Sequence, residues 1–408
     1  MKKSLYPFIA AVIFGLGCTL AAASEVSSEA TVLKITGSVK AQMPGQSGAV
    51  ELKVGDRIPQ GAVVMTGAGA EAFIQPFSGA VSAVKENSTV QIEKLSLTTE
   101  GGALTKQTAT LNLKSGNLVS TIDPAKRAIN NYSVRTPKGV AASRGTSYSV
   151  SVSADGFSIA ATADSVTFTT ATGAIYTIQA GMISITPPGG SPQPPVSLAS
   201  AMATNPEVGG IVSTAVSTLA TVVQNNLGGL SAESTTNLAS QVLAVASAAN
   251  PAQAASYTSQ VVTAVTSSTS VTGASAGTTA AAGASVTNAA VTAAPQEAAQ
   301  IAGAAATAAP QQSGVIAAAA SQAAPGSSQD VVQSVATATG QSTASVQQGS
   351  NNAAAQVSQD VQQTNQNVTN VITPAPAPVA PPPPETPPPP PPTTPPVTID
   401  TSVVSPSH

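Results

Sequence analysis

Few side chains in this 408-residue chain are equipped for chemistry. The one histidine, His408, is the last residue, and the one cysteine, Cys18, lies in an apolar run near the start. Ser-His-Asp and Cys-His nucleophile pairs therefore lack their base, and zinc sites built from His and Cys lack their ligands. Carboxylates remain. Asp56, Asp123, Asp155 and Asp164 fall in one stretch, and a glycosidase needs only two such groups. Such enzymes surround the sugar with aromatic rings, which this stretch has few of. No phosphate-binding GxxxxGK[ST] or GxGxxG joins a strand to a helix, and "GAGAEAF" after Thr66 reads as a turn. The sequence thus points to no catalytic residue, no metal and no cofactor, and to a binding or structural protein.

One cation stands out. Arg144, in "TPKGVAASRGTSYSVSVSADG" (residues 136 to 156), is the last positive charge, and 264 residues follow without Lys or Arg. From Ser24 to Pro187 thirteen Lys/Arg face eleven Asp/Glu, the near balance of a folded surface. Beyond Pro187 there are seven acids and no bases, so no basic patch serves nucleic acid.

The elements that position these residues begin after an export signal. Lys2-Lys3 precede the apolar run "FIAAVIFGLGCTLAAA", and Ala21-Ala22-Ala23 before Ser24 offers a cleavage site between Ala23 and Ser24. The run is shorter than the roughly 20 apolar residues of a membrane span. Cleavage there leaves a mature chain with no cysteine, no stable membrane span, and a destination in the periplasm, on the cell surface or outside the cell. Lipidation at Cys18 is the alternative, disfavoured by Gly15 three positions earlier.

Residues 27 to 187 are expected to form one all-β domain. Short β-branched runs such as "TVLKITGSV", "TVQIEKLSL" and "ATLNLKSGNLVSTI" are cut by Gly, Asn and Pro. In "YSVSVS", Tyr148, Val150 and Val152 point one way and Ser149, Ser151 and Ser153 the other. Ala154-Asp155-Gly156 then supplies a turn, with Gly156 free to take positive φ. Pro187-Pro188-Gly189-Gly190 and the prolines after it read as a linker.

Residues 188 to 372 are a low-complexity mixture of Ala, Ser, Thr and Val, disordered or folded into short Ala-rich helices. Of eleven aromatics only Tyr257 lies beyond Tyr176, which leaves little with which to build a core. A weak repeat starts at Pro251, Pro295 and Pro310, each followed six residues later by a larger side chain, Tyr257, Ile301 and Ile316. Pro suits a first helical turn. Residues 373 to 408 are Pro-rich and read as polyproline II.

The β region resembles the FecR domain family. The resemblance runs through most of residues 31 to 186. It is carried by "LKVGDRIPQGAVVMTGAGAEAFIQPFSGAVSAVKENSTVQI", by "LNLKSGNLVSTI", by the segment with Thr136-Pro137, Arg144-Gly145-Thr146, Tyr148 and Asp155-Gly156, and by "YTIQAGMISI". It implies a twisted, β-solenoid-like or sandwich-like module. In the family's familiar members that module is periplasmic, tethered by a membrane helix to a cytoplasmic anti-sigma segment, and responsive to an outer-membrane TonB-dependent transducer. This chain departs from that layout, with a cleavable signal and an Ala/Pro-rich tail in place of those parts. The resemblance further implies that Gly145 permits a bend, that Thr146 starts a strand, and that Arg144 serves carbonyls or a carboxylate such as Asp155 or Asp164. The alternative is that Arg144 receives an external partner.

The expected function is an exported, non-enzymatic module that binds or senses an envelope protein or polymer, within a signalling system. The alternative is a structural surface or matrix protein whose low-complexity tail self-associates or threads the wall.

Overall fold

The computed structural model describes residues 23–154, 156–273 and 275–372. Residues 1–22, which hold Cys18 and all but the last residue of the expected export signal, lie outside the described residues, as do Asp155, His408 and the Pro-rich segment 373–408.

Residues 24 to 197 form two sheets that share one long strand, Ala103–Ile122. In the first sheet the spatial order is Ala49–Glu51, Val39–Gln42, Val63–Thr66, Thr89–Glu100, Ala103–Ile122, Asn130–Thr136, Gly139–Ser143, Ser165–Thr170 and Ile175–Gln179. Ser24–Ser27 pairs with the far end of Thr89–Glu100. In the second sheet the order is Arg57–Ile58, Ala30–Thr36, Glu71–Phe77, Ala80–Val84, Ala103–Ile122, Ser147–Ser153, Gly156–Ala163, Met182–Thr186 and Val196–Ser197. The shared strand changes sheet at Gly116. There φ is +92°, and a Cβ would lie 2.1 Å from Ser88 Oγ, so only glycine fits the bend.

Side chains of alternate parity face the space between the sheets, where Ile74, Leu118, Tyr132, Tyr148, Phe157 and Phe168 pack. The other face of the second sheet is also buried. Phe73, Val81, Ala83, Val119, Ala160 and Ile183 point there into a second apolar cluster, shared with helices. Ala80–Val84 is consequently buried at all five positions.

The all-β expectation is overturned by the second half of the chain. Ten helices occupy it among the described residues: α1 (Leu198–Thr204), α2 (Glu207–Gln224), α3 (Ala232–Ala249), α4 (Ala254–Ser267), α5 (Thr269–Thr272), α6 (Ala276–Ala293), α7 (Ala298–Ala308), α8 (Ser313–Ala323), α9 (Ser328–Thr339) and α10 (Thr343–Ile372). The protein is a mixed α and β structure. α2 and α3 lie on the second sheet, where Val208, Val212, Val216, Leu219, Leu238 and Val242 complete the apolar cluster. Val196–Ser197 extends that sheet past the expected Pro-rich linker.

The helices stack in two rows, α2–α4–α7–α9 and α3–α6–α8. α10 crosses the second row, with Val357 and Val361 against Ala284, Ala318 and Ala319, and Val368 against Ala244 and Ala289. Pro251, Pro295, Pro310 and Pro325 each open a 3-10 turn that leads into α4, α7, α8 and α9. The residues before them, Asn250, Ala294, Ala309 and Ala324, share φ of −132° to −139° and ψ of 68° to 78°. A proline disfavours the helical region for its predecessor, so each helix stops there and the chain turns a corner. Tyr257, Ile301 and Ile316 are buried, and a fourth copy of the pattern places Val331 likewise. Poverty in aromatic residues does not prevent a core here. Alanine and valine side chains let helix backbones approach closely, and dense packing supplies what large side chains would otherwise bring.

Candidate functional site

The segment containing Arg144 is best understood from the connections between the two sheets. Ile122 ends the shared strand in the second sheet, and residues 123 to 129 return the chain to the first sheet at Asn130. Thr136-Pro137-Lys138-Gly139 makes a hairpin turn, closed by Thr136 Oγ1, which donates to the Gly139 carbonyl (3.1 Å) and accepts from the Lys138 N–H (3.2 Å). Gly139–Ser143 stays in the first sheet and Ser147–Ser153 belongs to the second, so Arg144-Gly145-Thr146 is a crossover. Asp164 makes a third crossover, from Gly156–Ala163 back to Ser165–Thr170.

These three crossovers are stitched together. Asn130, 2% exposed, donates from Nδ2 to the Asp123 and Arg144 carbonyls (3.1 Å each) and accepts from Gln107 Nε2 (2.9 Å). The Ile122 N–H donates to the Thr146 carbonyl at 2.8 Å. Thr146, fully buried, donates through Oγ1 to the Ala163 carbonyl. Gly145 sits so close to the neighbouring crossover that a Cβ would lie 2.6 Å from Pro124 Cα.

Two polar contacts tie this end of the sandwich to α3. Ser234 Oγ donates to Asp123 Oδ1 at 2.7 Å, and the Asp164 N–H donates to Gln241 Oε1 at 3.2 Å.

The result is a groove walled by Arg127, Asn131, Ser143, Arg144, Asp164 and Ser165. Asp164, at φ +53°, accepts from the Ser165 N–H with Oδ1 (2.8 Å) and pairs through Oδ2 with the Arg127 guanidinium. Arg127, not Arg144, therefore serves this carboxylate. Arg144 is exposed, and its guanidinium has no hydrogen bond or ion pair among the described residues. Arg127 and Asn131 escaped the reading of the sequence. The Asp123-Pro124 pair, a turn signal, marks the crossover that carries Arg127, although Asp123 drew attention there only as a carboxylate.

The other candidate residues lie elsewhere. Tyr148 is fully buried between the sheets, its ring edge-on to Tyr132 with centroids 6.3 Å apart. The Tyr132 hydroxyl bonds to Ser82 Oγ (2.7 Å) and Ser120 Oγ (2.8 Å), whereas the Tyr148 hydroxyl has no hydrogen bond among the described residues. Burial pushes Tyr132 up to about 12 against the opposing effect of the two serines. Burial, then the neighbouring Tyr132, push Tyr148 well above 10, and nearby Ser120 offsets only part of this. Gly156, at φ +141°, backs onto the Thr186 carbonyl, which a Cβ would approach to 2.6 Å. Ser24 begins the first strand.

The described carboxylates, Asp56, Asp123 and Asp164, hold separate structural posts. Asp56 accepts from the Lys53 N–H (2.7 Å), and Asp123 accepts from the Ala125 N–H (3.0 Å) as well as from Ser234. Among the described residues no group of three or more His, Cys, Asp or Glu gathers.

Comparison with known proteins bears on this same region. No curated protein matches the chain. Two crystal structures of a candidate anti-sigma factor from Parabacteroides distasonis ATCC 8503, at 1.65 and 2.50 Å, are similar at 11% and 10% identity. They cover 33% and 35% of this chain and 59% and 64% of theirs, with a TM-score of 0.27 in each case, too low to support a structural argument. The chain thus spans about three fifths of the length of those proteins. The family model described as FecR protein matches residues 62–175, a span that contains all three crossovers and the whole groove. Residues 62–175 are a FecR domain.

Proposed function

We propose that this protein is an exported, non-enzymatic component of the bacterial envelope whose FecR domain binds or senses another envelope protein or polymer within a signalling system. The observation that carries this reading is the FecR match itself, over the residues that build the Arg127–Arg144 groove. A groove lined by hydrogen-bond donors suits recognition of a partner. Export rests on the Lys2-Lys3 start, the apolar run and the Ala23–Ser24 junction. No helix among the described residues is long and apolar enough to cross a membrane.

Two measurements test this reading. Expression of the full gene in a bacterial host, followed by fractionation and N-terminal sequencing, is expected to give a chain beginning at Ser24 outside the cytoplasm. A cytoplasmic chain that keeps Met1 defeats the export claim. Capture from cross-linked envelopes is expected to return a transducer or membrane-bound regulator. Recovery of only the protein itself, or of wall polymer, moves the assignment to a structural matrix protein.

A further inference from the structure

The chemistry of the groove at the sheet crossovers is lopsided. Its one carboxylate, Asp164, is occupied on both oxygens, by the Ser165 N–H and by Arg127. Its donors are not. The Arg144 guanidinium, the Asn131 amide and the Ser165 hydroxyl make no hydrogen bond among the described residues, and all three face the same groove. Two guanidiniums against one carboxylate leave one positive charge in excess.

We propose that this groove receives a single carboxylate, presented by an aspartate or glutamate side chain of a protein partner. The proposal rests on the envelope-binding function and names the chemistry at its site. A guanidinium offers a planar fork of donors that matches a carboxylate bidentately, and one excess charge matches a monoanion. A phosphate dianion carries one charge more than the groove's excess and would meet stronger repulsion from Asp164, which lines the same groove.

The fork is held at its base rather than left on a loose loop. Asn130 grips the Arg144 carbonyl at 3.1 Å, and Gly145 is packed against Pro124. Only the side chain of Arg144 then has to be ordered on binding, which limits the entropic cost. The two contacts from α3, at Asp123 and Asp164, fix the flanking crossovers from behind.

The test uses the full chain labelled with 15N at its four arginines, Arg57, Arg127, Arg135 and Arg144. The probe is a capped Gly-Glu-Gly peptide, with capped Gly-Gln-Gly and methyl phosphate as comparisons at equal ionic strength. The Arg144 side-chain signal is expected to move with Gly-Glu-Gly and to stay put with Gly-Gln-Gly, while Arg57 and Arg135 remain unshifted. Arg144→Ala is expected to weaken binding at least about tenfold, and Arg144→Lys to restore only part of it, since an ammonium lacks the planar fork. Rising salt is expected to weaken the shift.

Equal shifts at all four arginines, or an unchanged affinity in Arg144→Ala, overturn the proposal. A stronger response to methyl phosphate than to Gly-Glu-Gly overturns the choice of carboxylate. If envelope capture returns a partner equally well with Arg144→Ala, the binding function stands and this groove is not its site.

Discussion

Ser234 on α3 hydrogen-bonds to the buried carboxylate of Asp123, at the end of the strand shared by both sheets, with Oγ and Oδ1 2.7 Å apart. Both residues are 3% exposed. This is one of the polar contacts that join the helices to the FecR domain, and it lies at a point closed to water. Ser234→Ala leaves the Asp123 side chain with a single donor among the described residues, the Ala125 N–H. The expected loss is about 1–3 kcal/mol, as for a buried charged group that forfeits a hydrogen bond. Urea unfolding of wild type and variant measures it, and an unchanged midpoint would show that the bond contributes nothing.

The two buried tyrosines predict loss of stability in alkali. Burial pushes Tyr132 up to about 12 in the folded protein, against the ordinary 10 of an exposed phenol. A raised folded value favours the neutral form, so its contribution is complete below pH 10. It diminishes from pH 10 to 12 as unfolded tyrosine ionises and folded tyrosine does not, at about 1.4 kcal/mol per pH unit. Tyr148 acts in the same direction. Unfolding free energies across that window should fall in wild type and fall less steeply in Tyr132→Phe.

The same pair predicts opposite outcomes at neutral pH. Tyr132→Phe strands the hydroxyls of Ser82 and Ser120 and should cost about 1–3 kcal/mol. Tyr148→Phe removes a buried hydroxyl that has no hydrogen bond among the described residues, and should be neutral or stabilising. A matching loss in both variants would contradict the hydrogen-bond assignment.

Gly314 and Gly349 meet where α8 passes under α10. A Cβ on Gly314 would lie 2.8 Å from the Gly349 carbonyl carbon, a backbone atom that cannot swing aside. Gly314→Ala should therefore push the helices apart at a cost of about 1–3 kcal/mol, despite the better helix propensity of alanine. Thermal melting reads this directly, and a raised midpoint would show that the crossing has slack.

Elastase should leave a long fragment. A spacer rich in Ala and Val would be digested back to about Pro187. In the folded chain those residues are buried, Val216, Val242, Ile301 and Ile316 among them. Limited digestion followed by mass measurement is expected to yield a product that reaches well into α10. A product ending near Pro187 would show that the helices do not hold together in solution.

Part of this architecture was legible in the chain itself. The order of β-branched runs and turns identified the strands of the FecR domain, because a period of two with Gly and Asn between runs leaves few other structures. The alternation from Tyr148 to Ser153 was correct about faces, with Tyr148 and Val150 inside. The Pro251, Pro295 and Pro310 repeat marked helix corners, since proline restricts the residue before it wherever it occurs.

Tertiary structure decided the rest. That the helices form a core depends on α2 and α3 finding the second sheet, and local sequence does not state which face will be covered. One signal was present, the run of small residues Ala80-Val81-Ser82-Ala83-Val84, apolar but for Ser82, which reads as a strand buried on both sides. The groove was out of reach for a plainer reason. Arg127, Arg144 and Asp164 are far apart along the chain and meet only because each sits on a crossover at the same end of the sandwich. Which cation pairs with Asp164 and which stays open is a matter of distance in space, and that is fixed by folding alone.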